Sequence, residues 1–108
     1  MSEIAYYLRL LIPADKEIKT TAYNISTSAV QIATNLTSGN CRRGFAAYNN
    51  SHTDSGEVYW GGSDVTTGNG MPIPKGALFA FPVASGEATN PWIIGDGAGN
   101  NVRVIEMA

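Results

Sequence analysis

Apolar and polar positions alternate with a period of two over most of the chain, the signature of strands that bury one face. In residues 17–26, Ile18, Thr20, Ala22 and Asn24 fall on one side and Lys19, Thr21, Tyr23 and Ile25 on the other, which predicts a strand. Residues 29–34 follow with Val30 and Ile32 in phase, and Thr37-Ser38-Gly39-Asn40 breaks the pattern before a further strand over 43–49. Residues 49–56, all polar or glycine, separate the apolar run Phe45-Ala46-Ala47-Tyr48 from Val58-Tyr59-Trp60, which predicts a hairpin across that loop. Gly61-Gly62 ends the second strand, Val65-Thr66-Thr67 reads as a short strand, and Gly68-Asn69-Gly70 reads as a tight turn whose residues tolerate positive φ. Pro72 and Pro74 cannot donate to a central ladder and suit a loop or a sheet edge. Lys75-Gly76 turns the chain into a strand over 77–83. The glycine-rich stretch 95–101 then separates Trp92-Ile93-Ile94 from a closing strand over 102–107.

The first twelve residues are ambiguous. Ile4, Tyr7, Leu8 and Leu11 fit a helical stripe, whereas Ile4, Tyr6, Leu8, Leu10 and Ile12 fit a strand face. A first strand or an extended N-terminal arm over 1–12 is the preferred reading, with Pro13-Ala14-Asp15 as a turn after it. Either a central core strand or a contact with another chain would bury both faces of that segment. Seven or eight short strands at this spacing predict an all-β fold, a single β-sandwich or jelly-roll-like barrel spanning residues 1–108 as one domain.

Composition narrows the picture further. The 108 residues suffice for one domain and not for two sizeable cores. Twelve Gly, nine Asn, eight Ser and nine Thr disfavour helix interiors and favour turns and strands, so an all-α fold is excluded. Charged residues make up 15% of the chain, against roughly 25% in an average soluble protein. With a net charge of −2 and only Arg42-Arg43 adjacent, no basic stripe exists to neutralise phosphates, and nucleic acid is not an expected partner. The single Cys41 can close no intrachain disulfide, which points to a reducing compartment. Met1-Ser2-Glu3 lacks the basic start of a signal peptide, and no stretch approaches the roughly 20 apolar residues of a membrane span, so no membrane association is expected.

Several strings could carry chemistry, and each has an ordinary reading beside it. His52, Asp54 and Ser55 are the residue types of a hydrolase triad, but such members converge from distant segments, and a solvated loop explains them. The chain's one His leaves Cys41 as its only soft companion for zinc. Gly95-x-Gly97-x-Gly99 resembles a phosphate cradle, yet a strand follows where a dinucleotide site needs a helix. Asp64 and Asp96 have no spaced partners of a calcium loop and read as turn acids. Asn24-Ile25-Ser26, Asn35-Leu36-Thr37 and Asn49-Asn50-Ser51 match the glycosylation sequon, as chance allows in so Asn- and Thr-rich a chain. Trp60, Trp92, Tyr48 and Tyr59 could form a sugar-stacking platform or, more ordinarily, core and interface anchors. No catalytic residue, metal ligand or cofactor site emerges, and the chain is not expected to be an enzyme.

One resemblance is informative. Ala46-Ala47-Tyr48-Asn49-Asn50, the run from Gly56-Glu57-Val58-Tyr59-Trp60-Gly61-Gly62 through Ser63-Asp64-Val65-Thr66-Thr67, then Gly70-Met71-Pro72-Ile73-Pro74, and finally Val102-Arg103-Val104-Ile105-Glu106 carry it. Together these resemble a family of small tailed-bacteriophage virion proteins, in which a strand ending in Asn-Asn precedes a "VYxGGSxVTTxNGxPIPxG" segment and the chain closes with "VRVxE". The match covers residues 43–108; its motifs are glycines, prolines and turns, and it transfers no catalytic residue. The resemblance implies a head decoration (cement) protein, a head fibre or a tail-associated module. A fibre needs heptads or a repetitive shaft, and this sequence has neither. The expectation is therefore a capsid decoration protein on the virion surface, made in the host cytoplasm. It would bind the major capsid protein as a homo-oligomer, with a trimer suited to three-fold lattice positions. The alternative is a tail-associated or receptor-binding β module contacting host surface glycans.

Overall fold

The computed structural model describes residues 15–51, 56–81 and 90–108. Within them lie eight strands: β1 (Ile18–Ile25), β2 (Val30–Gln31), β3 (Gly44–Asn49), β4 (Val58–Gly61), β5 (Met71–Ile73), β6 (Leu78–Ala80), β7 (Trp92–Gly95) and β8 (Asn100–Met107). They form two antiparallel four-stranded sheets, ordered β1-β8-β3-β6 and β2-β7-β4-β5. The pairs β1/β8, β2/β7, β3/β6 and β4/β5 show the logic: the chain is one long hairpin, its tip between β4 and β5, rolled so that alternate strand pairs enter opposite sheets. That connectivity is an eight-stranded jelly roll, and the expected all-β sandwich class is correct. The segment 1–12, whether arm or strand, lies outside the described residues.

Two local expectations are overturned. Residues 49–56 do not close a hairpin, because β3 pairs with β6 and β8 whereas β4 belongs to the other sheet. The chain crosses between the sheets there, and fully buried Asn49 holds the crossing. Its Nδ2 donates to the carbonyls of Gly56 (2.6 Å) and Ile73 (2.8 Å), and its Oδ1 accepts from the Ser51 amide and hydroxyl (3.1 and 2.6 Å). Val65-Thr66-Thr67 is likewise no strand but part of the β4–β5 turn. Val65 donates its amide to Gly62, and the Asn69 side chain accepts from the Thr66 amide at 2.7 Å, mimicking a backbone turn.

β8 shows how alternation builds the core. Its inward positions are Asn100, Val102, Val104 and Glu106, all buried, with the two valines flanked by a polar residue at each end. The valines pack with Ile25, Phe45 and Ala47 from their own sheet and with Ile32, Val58, Ile73 and Ile93 from the other. Phe79 and Phe81 meet Trp60 across the gap, each at 5.2 Å, and Phe45 packs on Phe81 at 4.7 Å. The polar ends tie down loops: Asn100 Nδ2 donates to the Gly97 carbonyl, and Glu106 receives Arg42.

The Arg42–Glu106 pair is buried, with side chains 4% and 1% exposed and Nε–Oε2 at 2.7 Å. Burying such a pair is affordable only when its remaining hydrogen-bonding groups also find partners. Here Arg42 Nη1 donates to Asn90 Oδ1 and Nη2 to the Ile32 carbonyl, both at 2.9 Å. Its guanidinium lies 3.9 Å from the Phe45 ring centroid, and Glu106 Oε1 accepts the Asn35 amide. We predict that Glu106→Gln destabilises the protein by about 3–5 kcal/mol by stranding the buried guanidinium, whereas Arg42→Met with Glu106→Leu costs far less. Chemical denaturation of the three proteins checks this; equal losses would contradict it.

Glycine serves close approach rather than handedness at the β4–β5 turn. Positive φ occurs at Gly39, Gly56, Gly76 and Gly99, not at Gly68 or Gly70 and at no described Asn, so the tolerance of Gly68-Asn69-Gly70 for positive φ is not used. A Cβ on Gly70 would stand 2.6 Å from Tyr59 Cβ and 2.9 Å from the Thr66 carbonyl oxygen, neither of which can yield cheaply. A Cβ on Gly62 meets nothing closer than 3.4 Å. Gly70→Ala should therefore cost about 1–3 kcal/mol, the range for overpacking, and Gly62→Ala almost nothing. Thermal melts of the two variants separate these outcomes.

Candidate functional site

The residues that sequence reasoning picked out for chemistry do not assemble. His52, Asp54 and Ser55 lie outside the described residues. The stretch Gly95 to Gly99 leads from β7 directly into β8, and its interior is spanned by the Asn100 side chain, which donates to Gly97 O at 3.1 Å and Asp96 Oδ1 at 3.4 Å. The amides of Gly95 and Asp96 are likewise taken, by the carbonyls of Ser26 and Glu57. No group of three His, Cys, Asp or Glu that could hold a metal occurs among the described residues, and no helix there is long and apolar enough to cross a membrane. Asn49, within one sequon, is sealed in the core, and Asn35, within another, donates to Tyr23 Oη at 2.8 Å.

The aromatic platform is dispersed as well. Trp60 points between the sheets, Tyr48 faces outward from the β1-β8-β3-β6 sheet, and Tyr59 and Trp92 face outward from the other sheet. Tyr59 Oη donates to Glu57 Oε2 at 2.7 Å, and this bond to a carboxylate holds the phenol above its ordinary pKa of 10.0.

A surface is what the fold does assemble. Cross-strand registers align the outward residues of the β1-β8-β3-β6 sheet in rows. Ile18, Met107 and Gly44 make one row; Thr20, Ile105, Ala46 and Ala80 the next; Ala22, Arg103, Tyr48 and Leu78 the third. Arg103 is the single charge among these eleven positions. Ile18 and Leu78 are 69% and 67% exposed, and Tyr48 is also open to solvent. Gly44 keeps the face flat, because the Met107 side chain lies where a Cβ would stand. Thr20, Tyr48, Leu78, Arg103 and Ile105 together rim a shallow depression. Isolated surface apolar residues are ordinary, but a contiguous flat field with polar residues at its margin marks an interaction site. The sequence contained the signal, since Ile18, Thr20, Ala22 and Leu78 are readable as strand positions. Only the strand order shows that they are neighbours on one outward face.

Glu17, just before β1, ties down the loop between β2 and β3. Its carboxylate accepts from the Asn40 side chain and the Thr37 amide, each at 2.9 Å, and from the Thr37 hydroxyl. The Asn40 bond first, and the Thr37 amide next, hold its pKa below the ordinary 4.5. A carboxyl whose pKa is lowered by folding contributes above its unfolded pKa, and the contribution is lost as pH falls through the lower folded value. The Thr37 amide resonance should titrate with a midpoint below 4.5 and lose that titration in Glu17→Gln, as NMR across acid pH will show.

No family model, no curated protein and no solved structure matches the chain.

Proposed function

We propose that the protein is a bacteriophage capsid decoration protein that binds the major capsid protein on the head exterior and stabilises the lattice by bridging its subunits. The observation that carries this reading is the flat, nearly uncharged outer face of the β1-β8-β3-β6 sheet. Attachment to a repeating lattice needs a preformed, rigid, extended contact whose desolvation is cheap, and one charge in three rows of side chains meets that need. The sequence resemblance of residues 43–108 to small virion proteins supports the same reading. So does the jelly roll, an architecture used in viral capsid and lectin domains. The protein acts as a homotrimer at three-fold lattice positions, and it carries out no chemistry of its own.

Purified protein mixed with expanded, undecorated heads should co-sediment with them and raise their disruption temperature. Leu78→Asp, which places a charge in the depression at the β6 side of the face without touching the core, should weaken head binding at least tenfold while leaving the melting temperature of the free protein unchanged. Binding to host cells or to a glycan array, with none to heads, would instead favour a receptor-binding module.

A further inference from the structure

Arg103, the one charge in the three rows of the β1-β8-β3-β6 face, stands within that face rather than at its rim. It belongs to β8, an inner strand, and the register sets it between Ala22 on one side and Tyr48, then Leu78, on the other. The outward neighbours along β8 are Ile105 and Asn101. Asn101 brings no negative charge, and its amide group is engaged with Asn50 and with the Tyr23 carbonyl. The Arg103 side chain forms no hydrogen bond or ion pair with any described residue, whereas Arg42 is surrounded by a carboxylate, an amide oxygen and a carbonyl. Arg103 borders a shallow depression of about 250 Å³ together with Thr20, Tyr48, Leu78 and Ile105. The hydroxyls of Thr20 and Tyr48 are also unbonded to any described residue, so donor-bearing and apolar side chains share one hollow.

A guanidinium at this position keeps its water only while the face is uncovered. Docking against an apolar surface strands the charge unless the partner supplies an acceptor that also cancels it. We infer that an Asp or Glu side chain of the major capsid protein seats its carboxylate in this depression, paired with Arg103; the inference rests on the head-binding reading of the face. The planar fork of an Arg matches the two oxygens of a carboxylate, and hydroxyls such as those of Thr20 and Tyr48 are further donors to it. Leu78 and Ile105 offer apolar surface to the stem of the incoming side chain. Size selects a side chain over a free small molecule, because about 250 Å³ lies below the roughly 300–1,000 Å³ of small-molecule sites. A single cation likewise gives no hold on the repeated phosphates of a nucleic acid. The pairing also confers specificity, since an apolar surface without a carboxylate at this point leaves the guanidinium buried and unmatched.

The test is a binding isotherm of the full-length protein on expanded, undecorated heads for the wild type, Arg103→Leu and Arg103→Lys, with a thermal melt of each free protein. Arg103→Leu is the decisive variant, because on an apolar contact without a carboxylate it would bind as tightly as the wild type or more tightly. Opposite a carboxylate it should bind about tenfold more weakly or worse. Arg103→Lys keeps the charge without the fork and should fall between the two. All three melting temperatures should agree. Heads that bind Arg103→Leu as well as the wild type overturn this inference and leave the decoration reading standing. Heads that take up no wild-type protein overturn both. A lowered melting temperature of Arg103→Leu and Arg103→Lys would place the partner of Arg103 within its own chain and overturn the inference too. So would retention of the wild type, and not of Arg103→Leu, on an array of acidic glycans without head binding.

Discussion

The buried pair between Arg42 and Glu106 is the constraint on which the sandwich turns. Two charges without water around them cost several kcal/mol each unless fully satisfied, and the partners that satisfy them come from segments attached to both sheets. Glu106 stands on β8, the strand flanked by β1 and β3, and Phe45 follows on β3; Ile32 lies just beyond β2 and Asn90 just before β7, in the other sheet. Hydrophobic burial would accept many relative placements of two apolar sheets. The guanidinium, with its planar fork of donors, accepts few. Asn49 plays the same part where the chain crosses from β3 toward β4, so each polar side chain turned into the core fixes a passage between sheets.

The strands were legible to the extent that alternation survives in sequence. Residues 17–26, 43–49 and 102–107 announce β1, β3 and β8 because burial on one face imposes a period of two, and the proline pair 72 and 74 does mark an edge. What alternation cannot report is the partner. An apolar run, a polar loop and a second apolar run describe a hairpin and a crossing between sheets equally well, and the loop of 49–56 is the second kind. Its eight residues exceed the two to five usual in a hairpin, a hint that length alone provides. Val65 misled for a related reason: β-branched residues favour strands, but here side-chain capping by Asn69 and the close approach at Gly70 hold a turn. Arg42, adjacent to Arg43, reads as surface charge, and nothing local in the sequence reveals that Glu106, far along the chain, lies beside it.

The candidate site was legible only as residue types. Tyr48 and Leu78 share a row because β3 pairs with β6, a contact between segments thirty residues apart, and Ala22 joins them through β8. The aromatic residues that suggested a sugar platform fall instead on the outer faces of both sheets and in the core between them. The assembled surface is what supports the proposal of a protein that works by contact.

The measurement that tests this account most directly is a cryo-electron microscopy map of the virion carrying the protein. The account predicts density for the jelly roll on the head exterior, seated with the β1-β8-β3-β6 sheet against the major capsid protein and Ile18, Tyr48 and Leu78 buried in the contact. Density at the tail, or on the head with that face turned to solvent, would contradict it.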